Sequence, residues 1–449
     1  MNKFFVSVGL AAAGTAGLQV SSALALDMQS SKLWTVSASL RGFYDDNYDT
    51  ATQKKGSFGF EVSPQIAISV PLQQTEFGLR YTYGLYYYQN REEIGDNPID
   101  QSHQVDLWLD HSFTERWEAK LSDTLAVGQE PQLLNVTGGA TTEPIRVNGN
   151  NIANSATLSL HTDWTRLFST QVTLSDGFYD FENSGATLLD VVPTNLGGTG
   201  NGASLAGTLN RLDNSGALDL QWHVAPETML FVGYQYEQVN YTGNEPIAYS
   251  PLLFATTGNA FYYSNSRDSR SHYGYLGFQH SFLANLNFNG KAGIQYVEDY
   301  NDPLSSASVS PYVALSVVYT YLPGCYAQLG FNHGQNATDV VAVNQTIGGP
   351  QFGRLTQAQE SSSAFLSINH RITPKLMGTI IGNFQYSEFT SGQYVSQPDI
   401  DYNLGLNLKY SFNEHFSAEV GYNFDDLQSG IDGRAYDRNR VYLGLGASY

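Results

Sequence analysis

Apolar side chains alternate with polar or small ones over much of this 449-residue chain, and this alternation constrains the fold more than any other feature. In the final segment, Val441, Leu443, Leu445 and Ala447 are separated by tyrosine, glycine and serine residues, and the pattern runs to Tyr449. A period of two places successive side chains on opposite faces of a β-strand. The segment is therefore predicted to be a strand with one apolar face.

The same alternation occurs in Phe58–Val70 and Tyr402–Phe412, where the second face is polar and carries Glu61, Gln65 and Lys409. Aromatic residues stand at the ends of these apolar rows, as they do at the two interfaces of a membrane. Charged residues make up 14% of the chain, well below the roughly 25% of soluble domains. The pattern predicts strands with an apolar face towards lipid and a polar face towards water.

The connections between the predicted strands fall into two classes. Eight are short: Val70–Glu76, Ser112–Arg116, His161–Arg166, His223–Thr228, Ser281–Asn285, Leu322–Cys325, Arg371–Lys375 and Ser411–His415. The others are longer and rich in Gly, Asn, Asp, Ser and Thr, and they include Asp45–Gly56, Asn90–Gln101, Gln129–Asn151, Tyr179–Asp213, Thr242–Arg270, Asn336–Ser361 and Gln428–Tyr436. Short turns on one side and long loops on the other are typical of outer-membrane barrels, with the turns in the periplasm.

We therefore predict an all-β fold, a transmembrane antiparallel up-and-down β-barrel of 18 strands with short periplasmic turns and long extracellular loops. The first strand is predicted near Trp34–Phe43, and the last ends at Tyr449 and closes the barrel against it. Sixteen strands are the alternative if one weak pair around Ala153–Phe178 is miscounted. Gly444 and Gly446 are expected to face the lumen and to leave the closing seam thin and open on the inside.

The first residues predict export. Lys3 precedes an apolar stretch, and Ala23-Leu24-Ala25 is a small-residue cleavage site, so residues 1–25 are predicted to be a signal peptide. Residues 26–449 then form a single barrel domain. The sole cysteine, Cys325, excludes a disulfide within one chain. These features favour the Gram-negative envelope, and the barrel prediction places the protein in the bacterial outer membrane.

Two prolines, Pro64 and Pro311, lie inside predicted strands, each in a similar Ser-Pro-x-(Ile/Val)-Ala segment. Because proline removes a hydrogen bond from the ladder, we expect bulges at these positions or strands that rise above the bilayer.

Motifs of catalysis and of metal binding are absent from the sequence, which lacks GxSxG, HExxH and phosphate-binding glycine loops. The sequence therefore predicts no enzyme, no cofactor and no metal site. The net charge of −20 argues against nucleic acid as a partner. Six of the nine histidines lie at or beside short turns, where they are interpreted as amphipathic rings at the membrane interface.

The chemistry of a pore is that of its wall. Alternation predicts these pore-lining charges: Arg41, Glu61, Arg80, Asp106, Asp110, Glu118, Lys120, Asp219, Glu237, Lys291, Lys409, Glu419 and Arg440. Acids and bases are nearly balanced in this set, so the acidic excess is expected mainly in the loops. Tyr273, Tyr275, Tyr312 and Tyr326 are also predicted to point inward, either as a sliding surface for sugars or as simple filling of the lumen.

Five segments resemble a known family: Leu33–Thr50, Phe58–Leu72, Tyr319–Asp339, His370–Leu376 and Ser411–Phe424. The chain is similar in them to the putative β-barrel porin 2 group of outer-membrane proteins. The resemblance implies an outer-membrane barrel, and some relatives in that broad group are thought to serve exopolysaccharide export. A strand that ends on Tyr449 also resembles the C-terminal signal read by the barrel-assembly machinery, which is therefore an expected partner.

The first functional hypothesis is a porin-like channel for the passive passage of small polar solutes, because a barrel of 18 strands has room for an aqueous lumen. Tyr179–Asp213 or Thr242–Arg270 is expected to fold inward as a constriction. The alternatives are a conduit for polysaccharide export and a structural surface barrel without transport. The sequence leaves open the solute, the ion selectivity, the oligomeric state and whether the lumen is plugged.

Overall fold

The computed structural model describes residues 33–128 and 150–449. The predicted signal peptide and nearly all of the predicted loop Gln129–Asn151 lie outside the described residues. The strands are β1 Trp34–Asp45, β2 Ser57–Pro71, β3 Thr75–Tyr88, β4 Ile99–Thr114, β5 Trp117–Gly128, β6 Asn151–Asp163, β7 Phe168–Phe181, β8 Arg211–Ala225, β9 Thr228–Tyr241, β10 Pro246–Tyr249, β11 Phe261–Tyr263, β12 Ser269–Leu283, β13 Leu286–Asp299, β14 Ser306–Leu322, β15 Cys325–Ala337, β16 Ala358–Thr373, β17 Leu376–Phe389, β18 Pro398–Ser411, β19 Phe416–Ser429 and β20 Tyr436–Ser448. The short helices are α1 Gln89–Glu93, α2 Leu205–Leu209 and α3 Pro251–Thr257.

Eighteen of the strands form one antiparallel sheet, in which consecutive strands pair within β1–β9 and within β12–β20, and β9 pairs with β12. The short strands β10 and β11 form a separate hairpin in the connection between β9 and β12. The first and last strands also pair, with Ser37 opposite Ser448 and Asp45 opposite Arg440, so the sheet closes on itself. The predicted barrel of 18 strands is confirmed. The weak pair around Ala153–Phe178, which left a barrel of sixteen strands as the alternative, is present as β6 and β7.

The outer surface of the barrel carries the apolar rows. Leu443 and Leu445 are 68% and 62% exposed, whereas the intervening Gly444 is covered from the inside. Aromatic residues, Trp34 and Tyr44, stand at the two ends of the neighbouring apolar row on β1. The ring centroids of Trp34 and Tyr449 are 5.7 Å apart. Since exposed apolar bands between aromatic girdles match a lipid bilayer, the closing strands β1 and β20 are oriented as the sequence predicts.

Loop length separates the two rims of the barrel. The connections at one rim are tight turns, such as residues 115–116 between β4 and β5 and residues 323–324 between β14 and β15. Those at the other rim are long and hold α1, α2, α3 and the β10–β11 hairpin. Short turns mark the periplasmic rim and long loops the extracellular one. None of the helices in the part of the chain that the structure describes is long and apolar enough to cross a membrane.

Each strand proline coincides with missing pairs in one of the two ladders of its strand. On β2, pairing with β3 breaks between Val62 and Gln65, on either side of Pro64, and resumes in the same register. On β14, pairing with β15 begins at Val313, two residues after Pro311, and Pro311 itself pairs with Ile294 of β13. The predicted bulges are therefore not found. Because proline lacks the N–H that a ladder needs, the strand keeps its partner on one side and loses it on the other.

Candidate functional site: the lumen and its extracellular constriction

The register of the barrel defines which charged side chains face the interior. Acidic residues at inward strand positions are Asp45, Glu61, Glu76, Asp100, Asp106, Asp110, Glu118, Asp163, Asp213, Asp219, Glu237, Asp299, Asp399, Asp401, Glu419 and Asp425. Basic residues at such positions are Arg41, Arg80, Lys120, Arg211, Lys291, Arg371, Lys409, Arg438 and Arg440. Acids therefore outnumber bases on the inner face of the described strands. Part of the acidic excess therefore lies on the inner face, and some of these acids, such as Asp45, Asp100 and Asp213, occupy the extracellular ends of strands that the sequence analysis assigned to loops.

The thirteen predicted pore-lining charges all fall on this inner face, and the register brings most of them into local groups. These are Arg41, Glu61, Lys409 and Glu419 at the closing seam, Arg80 with Asp106, Asp110 with Glu118 and Lys120, and Asp219 with Lys291. Glu237 accepts a hydrogen bond from Tyr273, and Arg440 donates one to Asp45.

The closing seam is held by an ion-paired arginine. From β1, Arg41 Nε lies 2.6 Å from Glu419 Oε1 on β19, and Nη1 lies 3.2 Å from Glu61 Oε1 on β2. To reach β19 the side chain passes over Gly444 of β20, where an added Cβ would lie 2.8 Å from Arg41 Cγ. The inside of the seam is therefore covered, not open as the sequence analysis expected, and the glycine provides the room for the arginine.

A lysine and three tyrosines line the opposite part of the wall. Lys291 Nζ lies 4.6 Å from the ring centroid of Tyr275 and 5.1 Å from that of Tyr312, within the range of cation–π attraction. The hydroxyl of Tyr275 donates to Asp219, and Tyr273 packs edge-on against Tyr312. These tyrosines are nearly fully buried. They form a packed cluster on the wall, which favours filling over a sliding surface for sugars.

Several inward aromatic rings lie flat on the wall because the residue opposite is glycine. Trp108 covers Gly78 of the neighbouring strand, and an added Cβ there would lie 1.8 Å from the ring. Phe365 covers Gly330 in the same way. Glycine on one strand thus accepts an aromatic side chain from the next, and these large rings occupy little of the lumen.

The extracellular loops form a compact cap with its own apolar core. The connection between β9 and β12 contributes Ile247, Leu253 and Tyr262, and the connection between β15 and β16 contributes Val343 and Leu355. Burial raises the pKa of the Tyr262 hydroxyl, which donates to the carbonyl of residue 353. Two long loops that are distant in sequence are therefore one packed unit.

A buried arginine joins a third loop to this unit. Arg267 is 2% exposed, and its guanidinium donates to the carbonyl oxygens of Thr208, Thr338 and Gln357 at 2.9, 2.5 and 3.4 Å. It also lies over the ring of Tyr241. Thr208 belongs to the loop before β8, so both loops that the sequence named as candidates for a constriction take part, together with the loop before β16.

A small cavity is lined by Arg211, Ala337, Thr338, Asp339, Gln359, Gln385, Ser387, Asp399, Asp401, Leu427 and Arg434. Arg211 lies on β8 and Asp399 on β18, eight strands apart around an 18-stranded barrel. Side chains from nearly opposite walls can line one small cavity only if a segment of the chain crosses the lumen between them. The segment that follows β15, with Thr338 and Asp339, does so.

Arg434 secures this crossing segment. Its Nη1 and Nη2 each lie 2.7 Å from a carboxylate oxygen of Asp339, and its Nε lies 2.7 Å from Asp399 Oδ2. Burial alone lowers the pKa of Arg434, but the two carboxylates outweigh that effect and raise it above its ordinary value. Arg434 therefore ties the loop after β19, the crossing segment and the wall at β18 together.

Sequence reasoning missed most residues of the constriction. Alternation extended beyond Tyr402 would have placed Asp399 and Asp401 inward, because both continue the polar face of β18. Arg434 and Asp339 lie in loops, where no period marks orientation. Within the described ranges, no three His, Cys, Asp or Glu side chains are arranged to hold a metal ion.

One family model matches part of the chain, and its family is the group that the sequence resembles. The family model of putative beta-barrel porin 2 matches residues 355–449, which comprise β16 to β20. No protein with a curated description matches the chain.

Similar solved structures include OccAB4 of Acinetobacter baumannii, with 11% identity, 94% of this chain and 100% of that chain covered, and a TM-score of 0.41. The outer membrane protein opdK of Pseudomonas aeruginosa has 10% identity, coverage of 93% and 99%, and a TM-score of 0.42. OccK11 (OpdR) of Pseudomonas aeruginosa has 12% identity, coverage of 93% and 96%, and a TM-score of 0.42.

The protein is a β-barrel of the bacterial outer membrane, as its closed sheet, its apolar outer band and the family match indicate.

Proposed function

We propose that the protein is a non-catalytic, porin-like channel through which small polar solutes pass passively. The observation that carries this proposal is a closed barrel of 18 strands whose inner face is polar and charged. Barrels of this size leave an aqueous channel, whereas eight-stranded barrels are filled by side chains. Charged walls without water would be costly to bury, so the inner face of this barrel supports a water-filled lumen.

The thirteen charges named from the sequence are proposed as pore-lining residues on the same grounds. They alternate with lipid-facing apolar residues, as Arg41 does with Leu40 and Gly42 on β1. Glycines beneath Trp108 and Phe365 keep these large rings against the wall. The part of the lumen on the periplasmic side of the constriction is therefore bounded by polar and charged side chains. The main resistance to the passage of solutes lies at the extracellular constriction.

Conductance across a planar bilayer tests the proposal. We expect the refolded protein to give discrete, stepwise currents of small size, because the crossing segment at Thr338 and Asp339 narrows the pathway. Protein denatured before addition is the control. Swelling of vesicles in sugars of increasing size should show passage of small sugars and exclusion of large ones. A folded barrel that never conducts would refute the channel.

We also propose that β20 is the strand by which the barrel-assembly machinery receives the chain. In the closed barrel, Tyr449 N donates to Val36 O at 2.8 Å and the Tyr449 ring lies beside Trp34 and His415. The contacts of Tyr449 with Val36 and Trp34 exist only after β1 has docked, so this edge of β20 is open to another partner beforehand. Replacing Tyr449 by Ala should slow barrel assembly in cells more than refolding in detergent. Equal effects on both would contradict a role in recognition.

A further inference from the structure

The cavity at the constriction contains two buried hydrogen-bond acceptors whose partners the protein does not supply. Asp399 is 5% exposed and Gln385 is 2% exposed, and both line the cavity. Within residues 33–128 and 150–449, Asp399 Oδ1 and Gln385 Oε1 have no hydrogen-bond partner. The other polar atom of each side chain is engaged, by Arg434 and by Ser387 respectively. A buried acceptor that is left unpaired is unfavourable, so the site favours a guest that donates hydrogen bonds.

The charge around the cavity selects among such guests. Two guanidinium groups, those of Arg211 and Arg434, face the carboxylates of Asp213, Asp339, Asp399 and Asp401. Acids thus exceed bases locally, as they do on the inner face as a whole. A solute that donates hydrogen bonds and also carries a positive charge is stabilised both by the unpaired acceptors and by the surrounding carboxylates. An anion would meet an acidic surrounding and two acceptors that cannot pair with it.

We propose that the constriction is a binding site for cationic solutes bearing ammonium or guanidinium groups, and that the channel prefers cations to anions. This inference rests on the proposed channel function and gives it a substrate class. A cationic group binds between Asp399 Oδ1 and Gln385 Oε1, next to Arg434. A guanidinium solute is the best match, because it has the same planar donor group as Arg434. It can therefore also take the place of Arg434 on the carboxylates of Asp339 and Asp399.

The test is single-channel recording with L-arginine as the cationic probe and L-glutamate as the anionic one. We expect a reversal potential in a KCl gradient that shows cation preference, and current block by L-arginine but not by L-glutamate. Asp399→Asn should lower the cation-to-anion permeability ratio roughly threefold, as expected for the loss of one charge near a narrow, water-filled pathway. It should also weaken the arginine block.

Asp426→Asn is the matched control, because Asp426 lies on β19, opposite Tyr402, and its side chain belongs to the outer face. It removes the same charge near the same rim and should change neither quantity. Gln385→Ala removes one acceptor and no charge, so it should weaken the arginine block while leaving the reversal potential unchanged. Heat-modified mobility on gels confirms that each variant is a folded barrel.

The outcomes separate this inference from the channel function. Folded protein without any conductance refutes the channel itself. Conductance that prefers anions, or an arginine block that both Asp399→Asn and Gln385→Ala leave intact, overturns the cationic site and leaves the channel standing.

Discussion

Arg41 on β1 and Glu419 on β19 are paired across an intervening strand, with Nε and Oε1 2.6 Å apart and Gly444 of β20 beneath them. The two residues are 378 positions apart in the chain. Because Arg41 also contacts Glu61, one side chain links the first, second and second-to-last strands. The barrel is therefore closed by side chains on its inside as well as by the backbone ladder between β1 and β20.

Gly444→Val should weaken this closure. Its side chain would meet Arg41 Cγ and Glu419 Cγ, at 2.8 and 3.1 Å from an added Cβ. Overpacking of this kind costs about 1–3 kcal/mol, and displacement of Arg41 would add the loss of its ion pairs. We expect a lower denaturation temperature in detergent, measured by heat-modified gel mobility. Gly42→Val is the control, because an added Cβ there has no atom within 4 Å. Equal losses from the two changes would contradict the proposed role of Gly444.

Arg434→Ala should release the crossing segment. It removes the contacts to Asp339 and Asp399, and with them the tie between the loop and β18. We expect larger and noisier single-channel currents at unchanged barrel stability. Arg438→Ala is the matched control, because Arg438 pairs with Asp425 on the adjacent strand. Currents that stay the same size in Arg434→Ala would show that the segment does not limit conduction.

Lys291→Met should increase the preference for cations. The change removes a positive charge from the wall near Asp219 while keeping an unbranched side chain against Tyr275 and Tyr312. The permeability ratio should rise, opposite in direction to the effect of Asp399→Asn. Lys54→Met serves as a comparison, since Lys54 lies in an exposed loop, paired with Asp46. A ratio unchanged by Lys291→Met would place this cluster outside the conduction pathway.

The loop before β8 should loosen in acid. Hydrogen bonds from Thr187, Thr199 and Asn201 hold the pKa of Asp190 below its usual value of 3.8. For a carboxylate with a lowered folded pKa, the stabilising contribution is present above the unfolded pKa and is lost as the pH falls through the folded one. Amide hydrogen exchange, corrected for intrinsic pH dependence, should therefore speed up at residues 199 and 202 below about pH 4. Asp190→Asn should weaken the same loop at neutral pH, and protection that stays constant into strong acid would contradict this account.

The sequence by itself determined the barrel, its strand number and the orientation of its walls. Leu443 and Leu445 face lipid and Arg41 faces the lumen because a period of two is a local property of an extended backbone. The short turns are equally local, and their number fixed the eighteen strands. Pro64 and Pro311 were recognised as anomalies, although the outcome was an interrupted ladder and not a bulge.

Only the tertiary structure decided which inward charges meet and what crosses the lumen. The pair Arg41–Glu419 depends on closure of the sheet, which sets the register between the ends of the chain. Arg434 meets Asp339 and Asp399 because of the paths of two loops, and loop residues have no period that fixes their direction. Alternation assigns a side chain to a face and not to a partner. Partners across a wide lumen are selected by strand stagger and loop packing, which arise from the whole closed sheet.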